Sequence, residues 1–181
     1  MTLLARRVNG ALWAQANEDA ARWAGSDVPA ELVAEVVERR GGGASFWEVG
    51  SPADERLNRV AAALTCGTKK DPAQQIQQIV FRLVDRTEVE KLGIRVRETP
   101  GDSQDQELNR HHRELPNLTI TQAIGLVRLL NAAPERRYKA AELAMLVARG
   151  LARRELPETV LNQLFLWKLY EQNVVKISDG A

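Results

Sequence analysis

At 181 residues the chain can bury a core without staples, and 44% hydrophobic against 27% charged residues excludes disorder as its default. Lys plus Arg total 25 and Asp plus Glu 24, so the net charge of +1 gives no sign of a general polyanion binder. A single cysteine excludes an internal disulfide and a thiolate zinc cluster, and no stretch approaches the ~20 apolar residues that span a bilayer.

From the N-terminus, Leu4, Val8, Leu12, Ala16, Ala20 and Trp23 recur at spacings of three and four, which predicts an amphipathic helix ended by Gly25. Polar residues from Asn9 to Asp19 interrupt this opening before the apolar core of a signal peptide develops, so a cytoplasmic protein with no membrane partner is the expectation. Asp27, Pro29, Leu32, Val33, Val36 and Val37 predict a second helix that stops at Gly41–Gly43. The stretch SFWEVG then has the composition of a short strand.

Ser51 as N-cap, Pro52 at the first helical position, and Asp54 and Glu55 in the first turn predict a helix through Cys66. In DPAQQIQQIVFRLVD, Ile76, Ile79, Val80, Leu83 and Val84 follow a helical period, with strand as the second choice because IVFRLV is β-rich. TEVE, Thr87 to Glu90, has the capping-box pattern of a short helix closed by Gly93, and IRVRE alternates as a strand does. TPGDSQDQ, from Thr99, is polar around a Pro-Gly turn and predicts a solvated linker. Beyond Pro116, Ile120, Ile124, Val127 and Leu130 mark one helix, Leu143, Leu146, Val147 and Leu151 a second, and the stretch from Leu156 a third.

The expected class is therefore mainly α, an α+β chain with a small β element. Its regions are an α-rich N-terminal part over 1–98, a linker with a short helix over 99–116, and a C-terminal helical module over 117–181. Splitting at Pro116 leaves 9 basic and 6 acidic residues in that module, a mild positive bias.

The C-terminal third resembles the winged-helix/helix-turn-helix superfamily: YKAAELAMLV is similar to the helix that opens the turn, LPETVLNQLFLWKLYEQNVV to the helix after it, and NVVKI to the following strand. In members that read DNA the second helix presents side chains to base edges while cations hold phosphates. The resemblance would place Glu158, Thr159, Asn162 and Gln163 at the bases, none of them basic, with Arg136, Arg137, Arg153 and Arg154 on phosphates. A step of ~100° per residue spreads Val160, Leu161, Leu164, Phe165, Leu166, Trp167, Leu169 and Tyr170 around most of that helix. Such a surface suits burial or a partner better than an open groove. Phe165, Leu166, Trp167 and Tyr170 are accordingly the candidate partner-binding anchors.

Other chemistry is sparse. The adjacent pair His111 and His112 points about 100° apart on a helix and cannot ligate one metal together, which leaves a general base or a surface role. Cys66, before Gly67, Lys69 and Lys70, has cations near it in sequence but no visible base, and an inert thiol is the simpler account. Asp102, Asp105 and Glu107 lack the pattern of a calcium loop, and no metal or cofactor is implied. The sequence thus points first to a non-catalytic interaction or regulatory subunit that binds another protein or itself. DNA binding through Asn162, Gln163 and the four arginines is the alternative, and a small enzyme using Cys66, His111 or His112 the second.

Overall fold

The computed structural model describes residues 2–18, 28–37, 43–68, 73 and 76–162. In chain order the elements are β1 (Leu3–Val8), α1 (Gly10–Glu18), α2 (Ala30–Val37), β2 (Ala44–Val49), α3 (Glu55–Thr65), β3 (Ile79–Asp85), α4 (Arg86–Lys91) and β4 (Arg97–Glu98). A 3-10 turn at Leu108–His111, β5 (His112–Leu115), α5 (Ile120–Ala132), β6 (Glu135–Tyr138), α6 (Ala140–Ala152) and a last 3-10 turn at Glu158–Asn162 complete them. No helix of the described residues is long and apolar enough to cross a membrane.

The six strands form one sheet in the order β4-β5-β2-β1-β3-β6, and the pairs β1–β2, β1–β3, β2–β5 and β4–β5 are antiparallel. The class is therefore α+β, which corrects the mainly α expectation and its helical N-terminal region. The error has a physical source. Leu4 and Val8 are four residues apart, a spacing that fits one face of a helix but, being even, also fits one face of a strand. Here they share the face of β1 with Arg6 between them, opposite Val84, Val80 and Arg82 of β3. In β3 every residue from Ile79 to Val84 is buried, so no alternation marked it as a strand.

The chain divides into two compact units whose segments alternate along the sequence. The first comprises Met1–Pro52, Val80–Thr99 and His112–Arg136; the second comprises Ala53–Ile79, Pro100–His111 and Arg137–Ala181.

In the first unit, Leu4, Val8, Phe46 and Val84 of the sheet share a core with Trp13 of α1, Leu32 and Val36 of α2, and Leu126, Val127 and Leu130 of α5. Three arginines are buried in this unit, Arg6, Arg82 and Arg113, and the first two lie against aromatic rings of the core. Arg6 lies 5.6 Å from the centroid of the Phe46 ring and donates to the Glu35 carbonyl at 2.6 Å. Arg82 lies 5.5 Å from the Trp13 ring, donates to the Asn131 carbonyl at 3.1 Å and pairs with Glu135 at 3.1 Å. Their guanidiniums are held by ring faces, carbonyls and a carboxylate, the partners a buried cation needs.

Local signals decide the helix ends. Asp85 caps α4 by accepting from the Thr87 amide at 2.8 Å, so the helix starts at Arg86, just before the capping pattern read at Thr87. It closes at Gly93, whose φ of +71° suits glycine. Thr119 and Gln122 form a capping box on α5, and the Gln122 amide also donates to the Gly93 carbonyl at 2.8 Å.

In the second unit α3 packs on α6. Leu57, Val60 and Ala61 of α3 and Leu143, Ala144 and Val147 of α6 are all buried. Buried Tyr138 donates its hydroxyl to Asn58 at 2.9 Å. The N-cap of α3 is Asp54, which accepts from the Arg56 amide at 2.9 Å, rather than Ser51. Helix α6 ends with the Glu155 amide on the Gly150 carbonyl at 2.8 Å and the Arg154 amide on Leu151 at 3.0 Å, with Arg154 at φ 57°. That is a Schellman closure with arginine where glycine is usual.

Candidate functional site

The stretch Gly101–Glu107 is built into the second unit instead of forming a solvated linker. Ser103, Gln104 and Asp105 are buried. The Asn109 side chain accepts from the Ser103 amide at 3.0 Å and hydroxyl at 2.7 Å, and it donates to the Ser103 carbonyl at 3.1 Å. Asp105 Oδ1 accepts from the Leu108 amide at 3.0 Å and so starts the 3-10 turn. This turn aims Arg110 and His111 at the N-terminal half of α3.

The result is a half-open cleft of about 90 Å³ lined by Arg56, Arg59, Glu107, Leu108, Arg110 and His111. Arg56 and Arg59, three apart on α3, lie on the same side of that helix. Asp105 Oδ2 accepts from Arg59 Nε at 3.0 Å and from Nη2 at 2.7 Å, while Glu155 Oε1 lies 3.7 Å from Nε. Glu107 spans two arginines: Oε2 is 3.3 Å from Arg59 Nη2, and Oε1 is 3.0 Å from Arg110 Nη2. Arg110 Nε donates to His111 Nε2 at 3.2 Å, which assigns that nitrogen as an acceptor. Burial pulls the Arg59 guanidinium down, but its bond to and the charge of Asp105, with Glu155 and Glu107, leave it above its ordinary value. It stays a cation at every physiological pH.

Three guanidiniums line the cleft, balanced by Glu107 on its wall and by Asp105 and Glu155 on Arg59, and their donors suit an oxyanion. Each guanidinium offers planar donors matched to a carboxylate or phosphate, and the half-enclosed wall limits screening by water. Among the described residues no three His, Cys, Asp or Glu side chains are placed to hold a metal ion.

Comparisons of the chain with protein-family models, curated proteins and solved structures return no match.

Of the residues singled out in the sequence, His111 and Glu107 line this cleft. His112, the neighbour of His111, is buried on β5, edge-on to Trp47 with ring centroids 5.1 Å apart, and its Nδ1 is 3.0 Å from the Thr99 hydroxyl. Cys66 is fully buried, and burial pushes its thiol up to about 12, so at neutral pH it is a protonated core group.

The four arginines assigned to phosphates belong to β6 and to the end of α6. Arg136 and Arg137 lie on β6, half-buried and exposed respectively. Exposed Arg153 pairs with Glu55 at 2.9 Å, and Arg154 occupies the left-handed position that closes α6. Arg153, Arg149 and Asn58 hold Glu55; the Asn58 hydrogen bond is the largest cause of its lowered pKa, opposed by burial and helped by the two arginines. Glu158 and Thr159 are exposed in the last 3-10 turn. The backbone of Asn162 ends that turn, while its side chain, Gln163 and the anchors Phe165, Leu166, Trp167 and Tyr170 lie outside the described residues.

The cleft itself escaped sequence reading. Arg56 and Arg59 carry a weak signal in their spacing of three, but their meeting with residues about 50 positions later is a product of the fold.

Proposed function

We propose that this chain is a non-catalytic interaction protein that recognises an oxyanionic group on a partner protein through the Arg56–Arg59–Arg110 cleft. The observation that carries the reading is the convergence of three guanidiniums on one half-open cavity, one of them fixed by the buried Asp105 carboxylate. A group so fixed loses little rotamer freedom on binding. Burial of Cys66 and His112 also favours binding over nucleophilic or acid–base catalysis by those residues. A small cleft in a chain of net charge +1 suits one anionic group better than the running backbone of a nucleic acid.

Isothermal titration at low ionic strength with an acidic phosphoserine peptide, a neutral peptide and a mixed DNA oligonucleotide tests the reading. The acidic peptide is expected to bind, to weaken as salt rises, and to be lost in an Arg56→Gln/Arg110→Gln double variant that keeps its melting temperature. No anion binding by the native chain overturns the proposal, as does tighter binding of the oligonucleotide that survives the double substitution.

A further inference from the structure

The cleft already holds an anion of its own. Glu107 and Asp105 both reach Arg59, but they differ in every physical respect. Asp105 is 3% exposed in its side chain and takes two bonds from Arg59 and one from the Leu108 amide. The Glu107 side chain is 60% exposed, and its carboxylate meets only Arg59 Nη2 and Arg110 Nη2 among the described residues. Removing Asp105 would strip a half-buried cation of its buried partner, whereas Glu107 can swing into water without uncovering apolar surface.

We infer that Glu107 is an internal competitor for the ligand: it occupies the cleft when the site is empty and is displaced by a phosphate monoester. This rests on the reading of the cleft as an oxyanion receptor. Two Glu107 oxygens satisfy one donor nitrogen on each arginine. Arg59 Nη1, in the same guanidinium, donates to nothing among the described residues. An incoming group with three terminal oxygens takes over Arg59 Nη2 and Arg110 Nη2 and adds Nη1, offering a separate oxygen to each donor where a carboxylate has two. Its second negative charge compensates for the competition with Glu107. The displaced carboxylate is repelled by the bound dianion and stays in solvent, so the cleft discriminates against weakly charged anions.

The experiment is titration of the full chain and of Glu107→Gln with inorganic phosphate, acetate, a phosphoserine peptide and the same peptide without phosphate, at constant ionic strength. Glutamine keeps the size of the side chain and removes the competing charge. Phosphate is expected to bind Glu107→Gln about tenfold more tightly than the native chain, the effect of deleting one adjacent like charge. Acetate is expected to bind neither appreciably, and Glu107→Gln/Arg110→Gln is expected to lose the gain. Phosphoserine peptide bound more tightly than inorganic phosphate places the group on a partner protein; equal binding makes free phosphate the ligand. Equal phosphate affinity in the native chain and Glu107→Gln overturns the competitor role while leaving the receptor intact. Acetate bound as tightly as phosphate overturns the phosphate assignment, and failure of every anion in both proteins overturns the receptor itself.

Discussion

Asp105 Oδ2 sits 3.0 Å from Arg59 Nε and 2.7 Å from Arg59 Nη2, joining α3 to a turn 46 residues away in the sequence. Both groups profit: the acid loses its water but keeps charged donors, and the base is held ready on the cleft wall. Asp105→Ala leaves Arg59 with the exposed Glu107 and with Glu155 at 3.7 Å. It is expected to cost about 2–3 kcal/mol by urea unfolding, below the range for a fully buried pair because Arg59 is 21% exposed. Glu107→Gln is expected to change stability by less than about 1 kcal/mol. Equal costs for the two substitutions would contradict the division of labour between these acids.

Gly150 gives a prediction that reverses sign with context. A Cβ there would lie 3.0 Å from Leu156 Cδ1 and 3.2 Å from Cγ, and Leu156 is buried. Gly150→Ala gains about 1 kcal/mol of helix propensity but meets an overpacking cost of about 1–3 kcal/mol. The net is expected to be destabilising by about 1 kcal/mol. In a Leu156→Ala background the obstruction is gone, and the same substitution is expected to stabilise by about 1 kcal/mol, measured as a double-mutant cycle.

At the end of α6, Arg154 holds φ 57° without the freedom of glycine. Arg154→Gly is expected to stabilise the chain by about 0.5–1 kcal/mol, seen as a raised melting temperature. A drop in melting temperature would mean that the arginine side chain contributes more than its backbone strain costs.

Cys66 predicts both reactivity and pH dependence. A thiol reagent at pH 8 is expected to modify the folded chain no faster than global unfolding exposes the residue, and to react at once in denaturant. Its folded pKa is raised, to about 12 from 9.0, so the unfolded state loses its proton first as pH rises. The contribution to stability is therefore complete below pH 9.0 and is lost as pH climbs towards about 12. Cys66→Ala should flatten that part of the alkaline stability curve; an unchanged slope there would refute the assignment.

Glu55 titrates with the opposite sign. Its pKa is lowered by the Asn58 hydrogen bond and by Arg153 and Arg149, with burial opposing. What it adds to stability is present above the ordinary carboxylate value of 4.5 and fades as pH falls through the lower folded value. Glu55→Gln is expected to weaken the acid-side dependence only slightly, since the side chain is 48% exposed and salt screens it.

Punctuation was legible in the sequence; direction was not. The glycine after α4, the strand character of SFWEVG, and the helices at Ile120 and Ala140 all follow from local chemistry visible in a few residues. Strands β1 and β3 were hidden because burial on both faces removes alternation and because a buried arginine in each imitates the polar side of a helix. The polar run from Gly101 looked solvated since nothing in it is apolar, yet Ser103 and Asp105 are buried by satisfying one another's neighbours through hydrogen bonds. For the same reason the cleft could not be read: three arginines become a site only when a turn closed by Asn109 and Asp105 carries one to the other two.

The alternation of segments between the units bears on how the chain is made. On a ribosome, β1 and β2 emerge early, but α5, which supplies Leu126, Val127 and Leu130 to their core, emerges only after the whole middle of the chain. Leu4 and Phe46 therefore wait during synthesis with only α1 and α2 to cover them, a window in which a folding helper or a slow stretch of translation would matter most. Neither unit can be released as an early, finished product. Truncated nascent chains ending before α5 are therefore expected to be the ones that aggregate.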